Sequence, residues 1–96
     1  MSNPYYNPED LGLEIFFEDD QGGSYEFDMF VVWKGANGVF YTATDSGCSC
    51  PSPFEWASGL DDLNQTTKAG VVEAFEGWWS ATPVTKTELF AKLFGV

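Results

Sequence analysis

The chain has 96 residues, 44% of them hydrophobic, and a formal charge of -11 at neutral pH. The chain contains fifteen acidic residues and four lysines, and it has neither arginine nor histidine. Without an imidazole, the chain cannot supply a Ser-His-Asp or Cys-His nucleophile or a zinc site that includes histidine. Four lysines also give little charge with which to hold nucleic acid. The composition therefore favours a protein that is not an enzyme and does not bind nucleic acid directly.

The length of the chain suits one globular domain, predicted to span residues 1–96. The N-terminus lacks the basic and apolar regions of a secretory signal. The longest bulky apolar run, Met29 to Trp33, is far shorter than the roughly 20 residues that cross a bilayer. We therefore expect a cytosolic protein, monomeric or homodimeric, with no membrane partner.

Residues 1–44 predict an irregular arm followed by a β-meander. Residues 1–12 combine prolines, asparagines and a terminal glycine with two tyrosines, which is typical of an arm held by its aromatic rings. Alternating apolar and polar residues over 13–44 predict three antiparallel strands. Leu13, Ile15 and Phe17 are expected on one face of the first strand.

The second predicted strand, residues 25–34, has apolar side chains at every second position. Its other face changes from acidic at Glu26 and Asp28 to apolar at Phe30 and Val32. We therefore expect the far end of this strand to be covered on both sides. The turn after it is predicted from the Asn-Gly pair in residues 35–38.

Residues 45–59 predict an irregular connector that holds both cysteines and two prolines. Gly47 favours unusual backbone angles, and Pro51 and Pro53 remove backbone donors, so regular structure is not expected over 45–55. The short side chains of Asp45 and Ser46 are expected to bond backbone amides of this loop.

Residues 60–96 predict a helical part. One turn is expected at residues 60–63, and a helix from about Thr67, capped by Thr66 or Thr67. Residues 85–88 fit a capping box that would open a second helix, which Gly95 would end. The order β-β-β-α-α indicates an α+β fold, in which a three-stranded antiparallel meander is followed by the Cys/Pro loop and two helices on one sheet face.

The Cys-Ser-Cys segment has two readings. Cys48 and Cys50 could each supply one thiolate to a zinc ion that two copies of the chain share, since a structural zinc takes about four ligands. The alternative is that both thiols pack as small apolar groups, with no cofactor and no metal. The spacing argues against a structural disulfide, because the closed loop would be too short to constrain the unfolded chain.

Acidic and aromatic residues provide the candidate partner-binding surface. Eight acids lie within residues 9–28, a span without lysine, and they would either keep the surface solvated or steer a basic partner. Adjacent Trp78 and Trp79, together with Trp56, cannot all point inward, so at least one should be exposed. The candidate residues are Glu14, Glu18, Asp19, Asp20, Glu26, Asp28, Trp56, Trp78 and Trp79.

Three segments together resemble a family. Residues 5–14, residues 24–28 with 31–33, and the Gly-Cys-Ser-Cys-Pro segment within residues 45–55 are similar to small actinobacteriophage (mycobacteriophage-like) proteins classed as a domain of unknown function. The resemblance covers about the first sixty residues. It implies an origin and a compartment, the host cell cytoplasm, and it carries no catalytic residues.

The leading hypothesis is a non-enzymatic phage accessory protein that binds or modulates a host protein through its acidic sheet edge and exposed aromatic rings. Two alternatives stay open. One is a homodimer joined by a zinc ion on Cys48 and Cys50. The other is an inhibitor that imitates nucleic acid and occupies a basic host protein.

Overall fold

The computed structural model describes residues 3–48, 53–57 and 59–95. In these ranges the elements are β1 (Leu13–Asp20), β2 (Glu26–Gly35), β3 (Phe40–Cys48), β4 (Asn64–Thr66), α1 (Lys68–Gly77) and α2 (Pro83–Phe94). The strands form one antiparallel sheet in the order β1-β2-β3-β4. The α+β class is thus confirmed. None of the described helices is long and apolar enough to cross a membrane.

The sheet has a fourth strand where the prediction had only helical structure. β4 pairs with the first three residues of β3, and the Asn64 side-chain amide donates to Thr42 Oγ1 over 3.2 Å. Its sequence, Asn-Gln-Thr, is short and polar, so it has no apolar alternation that could have revealed it. The predicted turn before it is confirmed as a 3₁₀ turn, Leu60–Asp62.

β3 extends four residues into the predicted irregular connector. Residues 45–48 pair with β2 as far as the pair Cys48 and Glu26, so the prediction for these four residues of the connector was wrong. The long partner strand supplies the backbone hydrogen bonds, and the prolines come only afterwards. The expected role of Asp45 is confirmed, because its carboxylate accepts from the amides of Ser46 (3.0 Å) and Phe54 (2.8 Å).

β1 contains an irregularity that reverses its pattern. The pairing with β2 shifts between Ile15 and Phe17, which is typical of a β-bulge around Phe16. After the shift, Phe17 pairs with Val32 and packs on the helix side, with Phe16. The prediction that Phe17 shares a face with Leu13 and Ile15 was therefore wrong.

One face of the sheet packs against the N-terminal arm and the connector. Here the Trp33 indole donates to the Pro4 carbonyl over 2.8 Å, and the Asn3 amide donates to the Pro53 carbonyl over 2.9 Å. Since a 3₁₀ turn at Pro8–Leu11 is the only helical structure described in the arm, the arm is largely irregular, as predicted. We call the buried residues of this face the arm-side core: Leu13, Phe27, Met29, Val31, Trp33, Tyr41, Phe54, Ala57 and Leu63.

The opposite face is covered by the two helices, as predicted. Phe30 and Val32 of β2 point into this layer, which confirms that the far end of the strand is buried on both sides. We call the buried residues of this face the helix-side core: Phe30, Val32, Phe40, Val71, Phe75, Trp78, Leu89 and Leu93.

The helix ends are set by side-chain caps. Thr67 caps α1 as expected, since its hydroxyl oxygen accepts from the Gly70 amide. α2 begins earlier than the predicted capping box: Thr82 caps it and Pro83 occupies its first turn. A proline suits that position because its missing N–H would have no helical acceptor there. Gly95 ends the helix at a positive φ of 74°, as predicted.

Candidate functional site

The helical layer stops before the sheet does, and a groove lies at this uncovered end. The groove has a volume of about 660 Å³. Its floor is formed by the start of β2 and the end of β3, and one wall is the link between α1 and α2. We call it the end groove; its defining residues are Gly22, Glu26, Asp28, Ser46, Cys48 and Trp79.

Asp28 fastens the helical link to the sheet. One carboxylate oxygen accepts from the Trp78 indole N–H over 3.3 Å, and the other accepts from the Ser80 hydroxyl. The backbone amide of Asp28 in turn donates to an Asp20 carboxylate oxygen over 3.0 Å. Asp28 therefore fixes the residues on either side of Trp79.

The two adjacent tryptophans have opposite environments. Trp78 is 5% exposed and packs in the helix-side core, with its ring centroid 5.8 Å from those of Phe30 and Phe75. Its prediction as a surface binding residue was therefore wrong, since only its N–H reaches Asp28. Trp79 is 84% exposed and borders the end groove. The expectation that at least one of these rings is exposed is confirmed.

Cross-strand pairing sets the floor of the groove. Glu26 lies opposite Cys48, and Asp28 lies opposite Ser46. Because side chains alternate along a strand, all four share the face that further along carries the helices. In the described part of the chain, no group of three or more His, Cys, Asp or Glu could hold a metal ion. Cys48 is exposed, whereas Cys50 lies outside the described residues, so the shared zinc ion stays a prediction.

None of the other predicted acids lines the end groove, although Asp20 accepts from the backbone amides of two of its residues, Gly22 and Asp28. Glu14 lies opposite Lys34 in the β1–β2 register, at the other end of β2. Asp19 accepts from the Gln21 side chain, and Asp20 accepts from the Gly22 amide, so both organise the turn after β1.

Glu18 belongs to the arm side, where it accepts a hydrogen bond from the Tyr5 hydroxyl over 2.8 Å. Burial, followed by this hydrogen bond and the charge of Glu18, raises the pKa of Tyr5 to about 12. Trp56 also lies on this side, 51% exposed, with its ring 6.0 Å from that of Phe54. Neither Glu18 nor Trp56 reaches the end groove.

Sequence reasoning missed Ser80 and the strongly exposed Tyr25. Ser80 has no distinctive sequence signal, and only its position in space beside Asp28 gives it a role. Tyr25 was assigned to the second strand, but it lies in the turn before β2 and is 79% exposed. Its signal was available, since it follows the Gln-Gly-Gly-Ser turn sequence.

Charge is distributed unevenly along the chain and therefore between the layers. Residues 1–66 contain twelve acids and one lysine, whereas residues 67–96 contain three acids and three lysines. The entire charge of -11 thus lies with the sheet, the arm and the connector. The three lysines of the helical part each lie over a phenylalanine ring, in the pairs Lys68–Phe94, Lys86–Phe90 and Lys92–Phe16.

The fold and the groove define a class: a small, acidic α+β domain whose open site presents carboxylates beside an exposed indole ring. The chain belongs to a family described as a domain of unknown function, DUF7574, which matches residues 2–93. No curated protein and no solved structure matched the chain.

Proposed function

We propose that this chain is a phage accessory protein that binds a positively charged host protein in the host cytoplasm and catalyses no reaction. The observation that carries the proposal is the segregation of charge along the chain, with all of the net negative charge in residues 1–66, which form the arm, the sheet and the connector. Such a surface attracts a basic partner over a distance and selects against acidic ones. The resemblance to actinobacteriophage proteins supports the origin and the compartment.

Two double variants of equal charge test the proposal. Asp19→Asn with Glu26→Gln changes the sheet side, and Glu73→Gln with Glu88→Gln changes the helical side. The tagged protein and both variants are used to capture partners from an actinobacterial lysate at low salt. We expect a basic protein to be captured by the parent chain and the helical-side variant, and less by the sheet-side variant. Capture of nothing above background, or equal loss in both variants, would contradict the proposal.

The same charge distribution supports the nucleic-acid mimic as a second candidate. Carboxylates on one side of a protein can occupy a surface that otherwise holds phosphates. The mimic requires that duplex DNA displace the captured partner at low ionic strength. A partner that DNA does not displace would leave host-protein binding standing and eliminate mimicry.

A further inference from the structure

We propose that the end groove binds the cationic side chain of a lysine or arginine in an exposed segment of the partner, between the Trp79 ring and the Glu26 carboxylate. This assignment rests on the proposed function and deepens it. The groove volume of about 660 Å³ lies in the range of roughly 300–1,000 Å³ that is common for ligand sites. It therefore has room for one long side chain.

The backbone on either side of Trp79 is fixed before any partner arrives. Its neighbours Trp78 and Ser80 both donate to the Asp28 carboxylate, so the backbone on either side of Trp79 is attached to β2. The Trp79 ring itself is 84% exposed. An aromatic face attracts ammonium and guanidinium groups, and a residue whose backbone is already fixed loses less conformational freedom when its ring binds one.

The groove contains negative charge without an internal cation. Glu26 is exposed; its backbone amide donates to the Gly23 carbonyl, but its carboxylate has no hydrogen-bond or ion-pair partner among residues 3–48, 53–57 and 59–95. Lys34 lies at the other end of β2, about 26 Å away at ~3.3 Å per residue. The other three lysines belong to the helical part, and each lies over a phenylalanine ring.

These facts select the ligand by charge and by shape. An anion would meet the carboxylates of Glu26 and Asp28, and an apolar side chain would leave them without a counter-charge. A lysine or arginine side chain can place its methylene groups along the indole ring while its charged end approaches Glu26.

Binding is measured by NMR with the full chain labelled with ¹⁵N. The probes are capped trilysine and capped triarginine, with capped triglutamine as the uncharged control. The indole N–H signal of Trp79 is identified by its loss in Trp79→Phe. We expect this signal to shift and saturate with both cationic peptides and to stay in place with triglutamine.

Matched variants separate the groove from general attraction to a charge of -11. Trp79→Ala should weaken trilysine binding roughly three- to tenfold, the range expected for loss of a cation–π contact, whereas Trp56→Ala should leave it unchanged. Glu26→Gln should weaken binding more than Glu14→Gln, although both remove one negative charge. The other indole signals verify that each variant is folded.

Equal effects of the two tryptophan variants, or of the two glutamate variants, would overturn the groove assignment. That outcome is distinct from failure of the proposed function. If trilysine leaves the Trp79 signal in place while a basic host protein is still captured, the inference is wrong and the proposed function stands. If no host protein is captured, the proposed function fails as well.

Discussion

Single carboxylates hold together the irregular parts of this protein. Asp28 accepts from Trp78 and Ser80, and Asp45 accepts from two backbone amides. Both acids were visible in the sequence, but only Asp45 was predicted to have a structural task. Its setting in a loop-like segment indicated local hydrogen bonds, whereas the partners of Asp28 lie about 50 residues away along the chain.

Tyr5 makes the stability of the arm sensitive to alkaline pH. The pKa of Tyr5 is raised to about 12 by burial and by its hydrogen bond to Glu18, from an ordinary value of 10.0. Deprotonation between these two values is thus easier in the unfolded chain. We expect the contribution of protonated Tyr5 to the free energy of unfolding to be present in full below pH 10 and to be lost as the pH rises towards 12.

Tyr5→Phe is the comparison for that experiment, because it removes the titrating group and keeps the ring. Denaturant unfolding of both proteins is followed from pH 9 to pH 12. The difference in unfolding free energy between the parent chain and the variant should shrink as the pH rises. A difference that is constant over this range would contradict the raised pKa of Tyr5.

At the level of elements, β4 and α1 are joined too closely for a side chain at Gly70. A Cβ there would overlap the Thr66 hydroxyl and lie 3.0 Å from Thr66 Cβ. Gly77, in the last turn of the same helix, has no atom within 4 Å of a Cβ built at its position. The two glycines of α1 thus have different physical roles, although from sequence alone both are simply residues that weaken a helix.

Gly70→Ala and Gly77→Ala are therefore expected to have opposite effects. Alanine ordinarily stabilises a helix by about 0.4–1 kcal/mol relative to glycine, and we expect this gain at Gly77. At Gly70 the overlap should outweigh it and destabilise the protein by roughly 1–3 kcal/mol. Urea unfolding of the two variants measures both changes. Stabilisation by Gly70→Ala would show that β4 and α1 separate at little cost.

Elements with strong local sequence signals were predictable, and strands that form only by pairing with a neighbouring strand were not. The two faces of β2, the Thr67 cap and the Gly95 end follow from local sequence and are confirmed. β4 and the end of β3 exist because a neighbouring strand offers backbone hydrogen bonds, which the local sequence does not indicate.

The candidate site was also predictable only in part: its residues were, but their arrangement was not. The sequence indicated Glu26, Asp28 and Trp79 as candidate residues, but not that they line one groove, since they come from distant parts of the chain. It also could not separate them from Glu14, Glu18 and Trp56. That separation depends on which face and which end of the sheet each residue occupies.

At the scale of the whole molecule, the net charge is unequally divided between the helical layer and the rest of the protein. The helical layer is close to neutral, and the sheet, arm and connector contain the whole excess of negative charge. In the described ranges, Lys86 and Glu76 form the one ion pair, and both side chains are partly exposed. Surface pairs of this kind contribute little, so repulsion among the acids should dominate the electrostatic part of the stability.

Salt should therefore stabilise this protein. Raising the ionic strength from 0.01 M to 0.15 M shortens the screening length from about 30 Å to about 8 Å and weakens repulsion between the acids. We expect the melting temperature to rise by roughly 4–8 °C, which for a domain of this size corresponds to about 1 kcal/mol. Calorimetry in sodium chloride measures the change.

The Asp19→Asn and Glu26→Gln double variant, which has two fewer charges on the sheet side, should show a smaller rise than its helical-side counterpart. A melting temperature that falls with salt would mean that attractive pairs outweigh this repulsion, and it would remove the electrostatic basis for a partner attracted to the sheet side.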